Sequence, residues 1–258
     1  MKPLGPIPAG FAADADGMLL IGSQRADRLI EEAGGTPLFA YDRDAVTERV
    51  KTFRYAMPSG VQLHYAMKAN PYEPLLHHIR QHVDGFDIAS NGEMDRVDRD
   101  WFPMPISFAG PGKSDLELED AMAYGITLNV ESEREAERAL NLAAGGPFRP
   151  KLAIRVNPPF GLKGSGQKMG GLPSQFGVDH DRVPALIRRI LEAGADWQGL
   201  HIFAGSQALQ ADAVIELQRE TVALAALIAE EAGHAPSHVN LGGGFGIPYF
   251  AKDQPLDI

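Results

Sequence analysis

The chain has 258 residues, carries 34 acidic against 24 basic side chains for a formal charge of −10, and contains no cysteine. A net acidic surface disfavours non-specific attraction to DNA, RNA or anionic lipid, so nucleic-acid and membrane-surface partners are not expected. Without cysteine there are no disulfides, thiolate metal sites or Cys nucleophile in this stretch.

Hydrophobic residues make up 44 % and charged residues 22 %, ordinary for a globular chain with a sizeable core. At roughly 100–200 residues per domain, one large domain or two small ones fit. No run of ~18 apolar residues argues for a membrane span. The opening stretch MKPLGPIPAGFAADADG has neither an apolar signal core nor an Arg-rich transit pattern, which points to the cytoplasm.

Short apolar runs alternate with amphipathic stretches throughout, the pattern of a parallel α/β fold. Residues 1–35 are rich in Gly, Pro and Ala, with a strand-like run at 18–21 and a helix over 25–33. A short strand is expected at 38–41, then Asp42 as cap of a helix over 44–56. Further strands are expected at 63–68, 85–89, 106–109, 126–130, 152–156, 200–204 and 238–241, with helices such as 131–143 and 208–232 between them. These strand–helix units are one short of a (β/α)₈ barrel; a doubly wound open sheet is the alternative. The Gly-rich stretch 161–171 is a loop insertion with the length and flexibility of an active-site lid.

In a barrel, ligands sit where strands give way to loops. Lys68 ends an apolar strand, where desolvation would make the amine nucleophilic and suited to a Schiff base; a lysine snorkelling to solvent is the bland alternative. Gly242-Gly243-Gly244 follows the last strand, where bare amides can wrap a phosphate, although a tight turn is the more common explanation of a Gly triplet. Ser206 adds a hydroxyl donor and Phe203 an aromatic face. Lysine, phosphate turn and aromatic together suit pyridoxal phosphate. Asp87 ends its strand either as an inward counter-charge or as a turn cap. Arg155, inside Ala-Ile-Arg-Val-Asn, needs a carboxylate or an anionic ligand as partner. His77, His78 and His82 lie at polar helix positions without a carboxylate at ligand spacing, so no metal site is expected.

His64-Tyr-Ala-Met-Lys-Ala-Asn70, Phe86-Asp-Ile-Ala-Ser90, Arg155-Val-Asn-Pro158, Gly199-Leu-His-Ile-Phe-Ala-Gly-Ser-Gln207 and Asn240-Leu-Gly-Gly-Gly-Phe-Gly246 occur in this order. Together they resemble the alanine-racemase-like barrel of the ornithine/diaminopimelate decarboxylases, a fold-type III pyridoxal phosphate family. The flavour of Lys168-Met-Gly-Gly-Leu-Pro-Ser-Gln-Phe-Gly177 is similar to two subgroups. These are the L-glutamyl-[acyl-carrier protein] decarboxylases and the exosortase-A-associated pyridoxal-dependent decarboxylases.

The resemblance implies that Lys68 holds pyridoxal phosphate as a Schiff base, with Ala66 under the cofactor and Asp87 and Arg155 lining the site. It implies that Ser206 and the amides of Gly243 and Gly244 form the phosphate cup, and that Glu93 and Gln175 lie toward the substrate. Phe203 stands where most members have a ring-stacking histidine, and Gln175 where diaminopimelate decarboxylases usually have a lysine. The implied reaction is decarboxylation of an amino acid or an aminoacyl-carrier thioester in a homodimer. A non-catalytic pyridoxal phosphate barrel and a racemase are the alternatives. On this reading residues 1–35 join a second, β-rich domain absent from the chain, and residues 36–258 form a (β/α)₈ TIM barrel stopping before its eighth strand. The family's carboxylate on the pyridine nitrogen, its acid Cys and its C-terminal Tyr would lie outside these residues.

Overall fold

A computed structural model describes residues 10–97, 101, 103–161, 167–168 and 174–258. Most of the Gly-rich stretch expected to form a lid therefore lies outside the described residues. Strands β1 (Ala12–Ala13), β2 (Leu19–Ile21) and β3 (Gln24–Arg25) make a small antiparallel meander that leads into α1 (Ala26–Ala33). Arg25 ties the two together, reaching Asp14 at 2.7 Å and Asp27 at 2.9 Å. The strand expected at 38–41 is not formed. That segment has no neighbouring strand to pair with among the described residues, and Phe39 is 83 % exposed. Asp42 then caps α2 (Arg43–Ala56) by accepting the Asp44 N–H at 2.9 Å.

The large sheet contains β4 (His64–Ala66), β5 (Gly85–Ile88), β6 (Ile106–Phe108), β7 (Thr127–Val130) and β8 (Lys151–Asn157). After the short β9 (Gln167–Lys168) and β10 (Val178–Asp179) come β11 (Asp196–Ile202), β12 (Gly205–Ser206) and β13 (His238–Asn240). The connecting helices are α3 (Glu73–Ile79), the single turn α4 (Asn91–Met94), α5 (Asp115–Ala123), α6 (Glu133–Ala144), α7 (Val183–Glu192) and α8 (Ala211–Ala232). Ser90, Ser114 and Ser132 cap α4, α5 and α6, each accepting an amide of the first turn.

The main path through the sheet runs β4-β5-β6-β7-β8-β11-β13, all parallel and in chain order, with β10 added alongside β8. A doubly wound sheet would reverse direction at a switch point; this order is that of a curling barrel wall. β4 and β13 are its two ends. β11 begins four residues before the expected 200, because Asp196 and Trp197 pair with Lys151 and Leu152 ahead of a register shift between Trp197 and Gly199.

The alternation along each strand divides two environments. Phe86, Ile88, Phe108, Leu128, Ile154 and Ile202 point outward beneath the helices and are essentially fully buried. Each contributes ~1.5–3 kcal/mol relative to exposure. The inward row is polar: His64, Asp87, Ser107, Asn129, Arg155 and His201 all line a cavity of about 2000 Å³. Barrel interiors are usually filled by layers of branched apolar side chains. Here the inward row is polar and the space is left open, continuous with the gap between β4 and β13, where Val46, Val50 and Phe53 also line it.

Candidate active site

Lys68 is not the last residue of a strand. β4 ends at Ala66 and the chain enters a 3-10 turn over Met67–Ala69. Met67 is fully buried and pins the turn, while Lys68 is solvent-accessible and faces the cavity. Asn70 locks the turn's exit: its carbonyl accepts the Tyr65 hydroxyl at 3.2 Å and its side-chain oxygen accepts the Tyr72 amide at 3.1 Å. The turn swings the amine free of the strand ladder, so this lysine escapes the burial that its position in an apolar run implied. Ala66 lines the same cavity, paired in register with Asp87.

Ser206, Gly242, Gly243, Gly244 and Phe203 also line the cavity. The glycine turn is tied to the chain beyond β12 by two backbone bonds, Ala208 N–H to Gly244 O (2.9 Å) and Gly246 N–H to Ala208 O (2.8 Å). Gly244 has φ +96°, and a Cβ there would fall 2.5 Å from the Gly205 carbonyl oxygen, so no other residue fits without displacing backbone. The Gly243 and Gly244 amides donate to no acceptor among the described residues, and a Cβ on Gly243 would meet nothing within 4 Å. Two amides without an acceptor, in a turn packed close to Ser206, are suited to an anion cradle. An accessible amine, an aromatic wall and this cradle in one cavity fit the aldehyde, ring and phosphate of pyridoxal phosphate.

Beneath them sits a cluster of two imidazoles and a carboxylate. His64 Nδ1 lies 3.5 Å from Asp87 Oδ1, an electrostatic contact outside hydrogen-bond geometry. Burial pushes the Asp87 carboxyl up, but His64, His201 and Asn240 together hold it below the usual carboxylate range. His201 goes the other way. Burial, then the Arg155 guanidinium directly across the ladder, bring its imidazole down to about 4, against a partly compensating pull from Asp87.

The His201 shift has a thermodynamic consequence. A histidine with a depressed folded pKa binds its proton less readily in the native than in the unfolded state. Its contribution is complete above the unfolded value near 6.5 and is lost as pH falls toward 4. Native stability is therefore expected to drop between these limits with a slope approaching ~1.4 kcal/mol per pH unit. In His201→Gln the slope should flatten; urea titrations from pH 7 to 4 that give both proteins the same slope would refute the assignment.

Arg155 finds a protein partner. Its Nη1 donates to Glu131 Oε1 at 3.1 Å, with the two side chains 10 % and 0 % exposed. The same oxygen accepts the Gly110 amide at 2.5 Å, and the Glu131 amide donates to Glu135 Oε2 at 3.0 Å. Glu135 in turn pairs with the buried Lys113 at 2.6 Å, whose amine also donates to the carbonyls of Gly110 (2.7 Å) and Asn129 (2.9 Å). Sequence reasoning does not single out Glu131, Glu135 or Lys113. Reading strand ends at β7 as at the others would have reached Glu131, the residue just after that strand. Nothing local marks Lys113 or Glu135 as paired.

Two other expected residues stand apart from the cavity wall. Glu93 serves the start of α4: its Oε2 accepts the Ala89 amide at 2.8 Å while its own amide donates to Ser90 Oγ. Gln175 is exposed on the segment leading into β10, and neither residue lines the cavity.

Residues 43–258 match the family model described as the pyridoxal binding domain of pyridoxal-dependent decarboxylases. The chain is 34 % identical over 226 residues to the L-glutamyl-[BtrI acyl-carrier protein] decarboxylase of Niallia circulans, covering 86 % of this chain and 53 % of that one. It is 31 % identical over 250 residues to the diaminopimelate decarboxylase of Methanothermobacter thermautotrophicus, covering 94 % and 57 %. The crystal structure of Helicobacter pylori diaminopimelate decarboxylase with L-lysine superposes with a TM-score of 0.74 at 28 % identity, covering 86 % of this chain and 57 % of that one. The chain thus spans about half the length of the relatives it matches. With the fold, the cavity and the family model in agreement, the chain belongs to the pyridoxal-dependent decarboxylases, whose pyridoxal-binding domain it carries.

Proposed function

We propose that this chain supplies the cofactor-holding part of an enzyme that removes the carboxylate from the α-carbon of an amino acid, either free or as an aminoacyl-carrier thioester. The observation that carries the reading is one cavity lined by both an accessible Lys68 amine and the cradle of Ser206, Gly243 and Gly244. Lys68 Nζ would hold the cofactor aldehyde covalently, and the Ser206 hydroxyl and the two glycine amides would bind its phosphate. Phe203 would cover the ring; being carbocyclic, it stacks without exchanging a proton. Asp87, kept ionised, would supply a fixed negative charge beneath the lysine. When bound, pyridoxal phosphate supplies an electron sink for the pair left behind by the departing carboxylate.

Glu93 and Gln175 remain candidates for the substrate end, reached from outside the cavity wall. Gln175 brings no cation for a distal carboxylate. That favours a substrate like that of the glutamyl-carrier relative over one like diaminopimelate. The same reading takes the complete enzyme as a cytoplasmic homodimer, residues 1–35 joining a second domain and residues 36–258 forming the barrel. The exposed rings of Tyr249 and Phe250, 62 % and 74 % accessible, suit burial against another surface.

The test is chemical. After incubation with pyridoxal phosphate and borohydride reduction, peptide mapping is expected to find the pyridoxyl group on Lys68. Its absence, or its appearance on another lysine, overturns the proposal. Release of CO₂ from L-amino acids, D-amino acids and a glutamyl-carrier thioester then separates the substrates.

A further inference from the structure

Arg155 stands in the cavity wall, where a cation invites the role of receptor for a substrate anion. Its surroundings argue otherwise. The guanidinium is bonded to Glu131 and lies 5.0 Å from the centre of the Phe176 ring and 6.0 Å from that of Phe203, within cation–π range of both. Phe176 is held from behind. Its amide donates to Ser174 Oγ at 3.0 Å, and Gly177, at φ +89°, lets the backbone lie so close to β8 that a Cβ would come within 2.8 Å of the Asn157 nitrogen. β10 then runs parallel to β8, with Asn157 Nδ2 donating to Asp179 Oδ1 at 2.8 Å. On the other side, Phe203 fills the space where a Cβ on Gly242 would stand, 2.7 Å from its ring.

We infer that Arg155 is a positioning residue. Its side chain is a clasp that docks the segment 174–177 and fixes the Phe203 ring against the glycine turn, while Glu131 orients it and consumes its charge. Glu131 is suited to this role because its carboxylate is buried and its backbone and Oε1 are both held, by Glu135 and Gly110. The clasp stands on the protein's own contacts. Its consequence for the cofactor rests on the proposed reading of the cavity as a pyridoxal phosphate site.

The decisive experiment uses the whole chain labelled with 4-fluorophenylalanine, with the ¹⁹F resonances of Phe176 and Phe203 assigned from their Leu variants. In Arg155→Lys and Glu131→Gln both resonances are expected to shift or broaden, while that of Phe86, enclosed by Tyr65 and Trp101, stays in place. Should either variant fold poorly, Arg155→Met combined with Glu131→Leu removes both charges and must move the same two resonances. Unmoved resonances overturn the clasp.

A second arm titrates pyridoxal phosphate and glutarate. Glu131→Gln is expected to weaken pyridoxal phosphate binding on the order of tenfold, the size of a coupling between contacting groups, while the wild-type chain, whose guanidinium is already paired, is expected to bind no glutarate through Arg155. Glutarate binding by the wild-type chain that is lost in Arg155→Met would mean that the guanidinium is a free anion receptor, and would overturn the inference. A wild-type chain that binds no pyridoxal phosphate removes the cofactor reading, whereas the ¹⁹F result still decides the clasp.

Discussion

Replacing Lys113 by methionine is expected to destabilise the fold by about 3–5 kcal/mol, the cost of breaking a buried ion pair from one side. The Lys113 and Glu135 side chains are 1 % and 4 % exposed, and the amine donates to one carboxylate oxygen and to the backbone carbonyls of Gly110 and Asn129. Methionine fills most of the volume but supplies no donor. The Glu135 carboxylate is then left buried without its cation. Since a domain's whole stability is about 5–15 kcal/mol, such a loss would be visible as a large fall in the urea midpoint at unchanged slope. Pairing the change with Glu135→Leu should recover much of the loss, because removing both charges leaves no ion unpaired. A single variant within ~1 kcal/mol of wild type would mean that water reaches the pair, and would refute its burial as the source of the effect.

The larger functional effect is expected from Lys68→Ala. It removes the only group proposed to bond the cofactor covalently, so turnover should fall by at least roughly a thousandfold, as when a covalent nucleophile is deleted. Stability should hardly change, because the side chain is exposed and makes no hydrogen bond or ion pair among the described residues. Pyridoxal phosphate should still bind through the glycine cradle, more weakly and without a borohydride-trapped adduct. A Lys68→Ala enzyme retaining near-full decarboxylation would assign the chemistry elsewhere. Loss of activity together with loss of folding would contradict the exposed position of the side chain.

These two lysines show where a linear reading holds and where it stops. Lys68 stands out because a cation after Leu63, Tyr65 and Met67 breaks an apolar run. That anomaly is local, and it stays informative even though the residue sits in a 3-10 turn. Lys113 follows Gly110, Pro111 and Gly112 and resembles any loop lysine. Its burial depends on Asn129 and Glu135, 16 and 22 residues away. Arg155 lies between these cases. Its need for a partner is legible from its apolar neighbours, but the choice between a ligand and Glu131, 24 residues earlier, is not. Glu93 has a local role that its motif does not show: its carboxylate accepts the Ala89 amide at the start of α4.

What the sequence determined by itself was the alternation of strands and helices, and the placing of Lys68 and the glycine turn just after their strands. Each depends on periodicity or on a backbone need met by a residue and its immediate neighbours. The strand order, the polar interior and the cavity, the four-residue earlier start of β11, and the charge network from Lys113 to Arg155 were decided only in three dimensions. Curling a parallel sheet brings strand ends from successive units within hydrogen-bond distance. Once they are out of water, each buried charge must take the partner that the curvature places beside it.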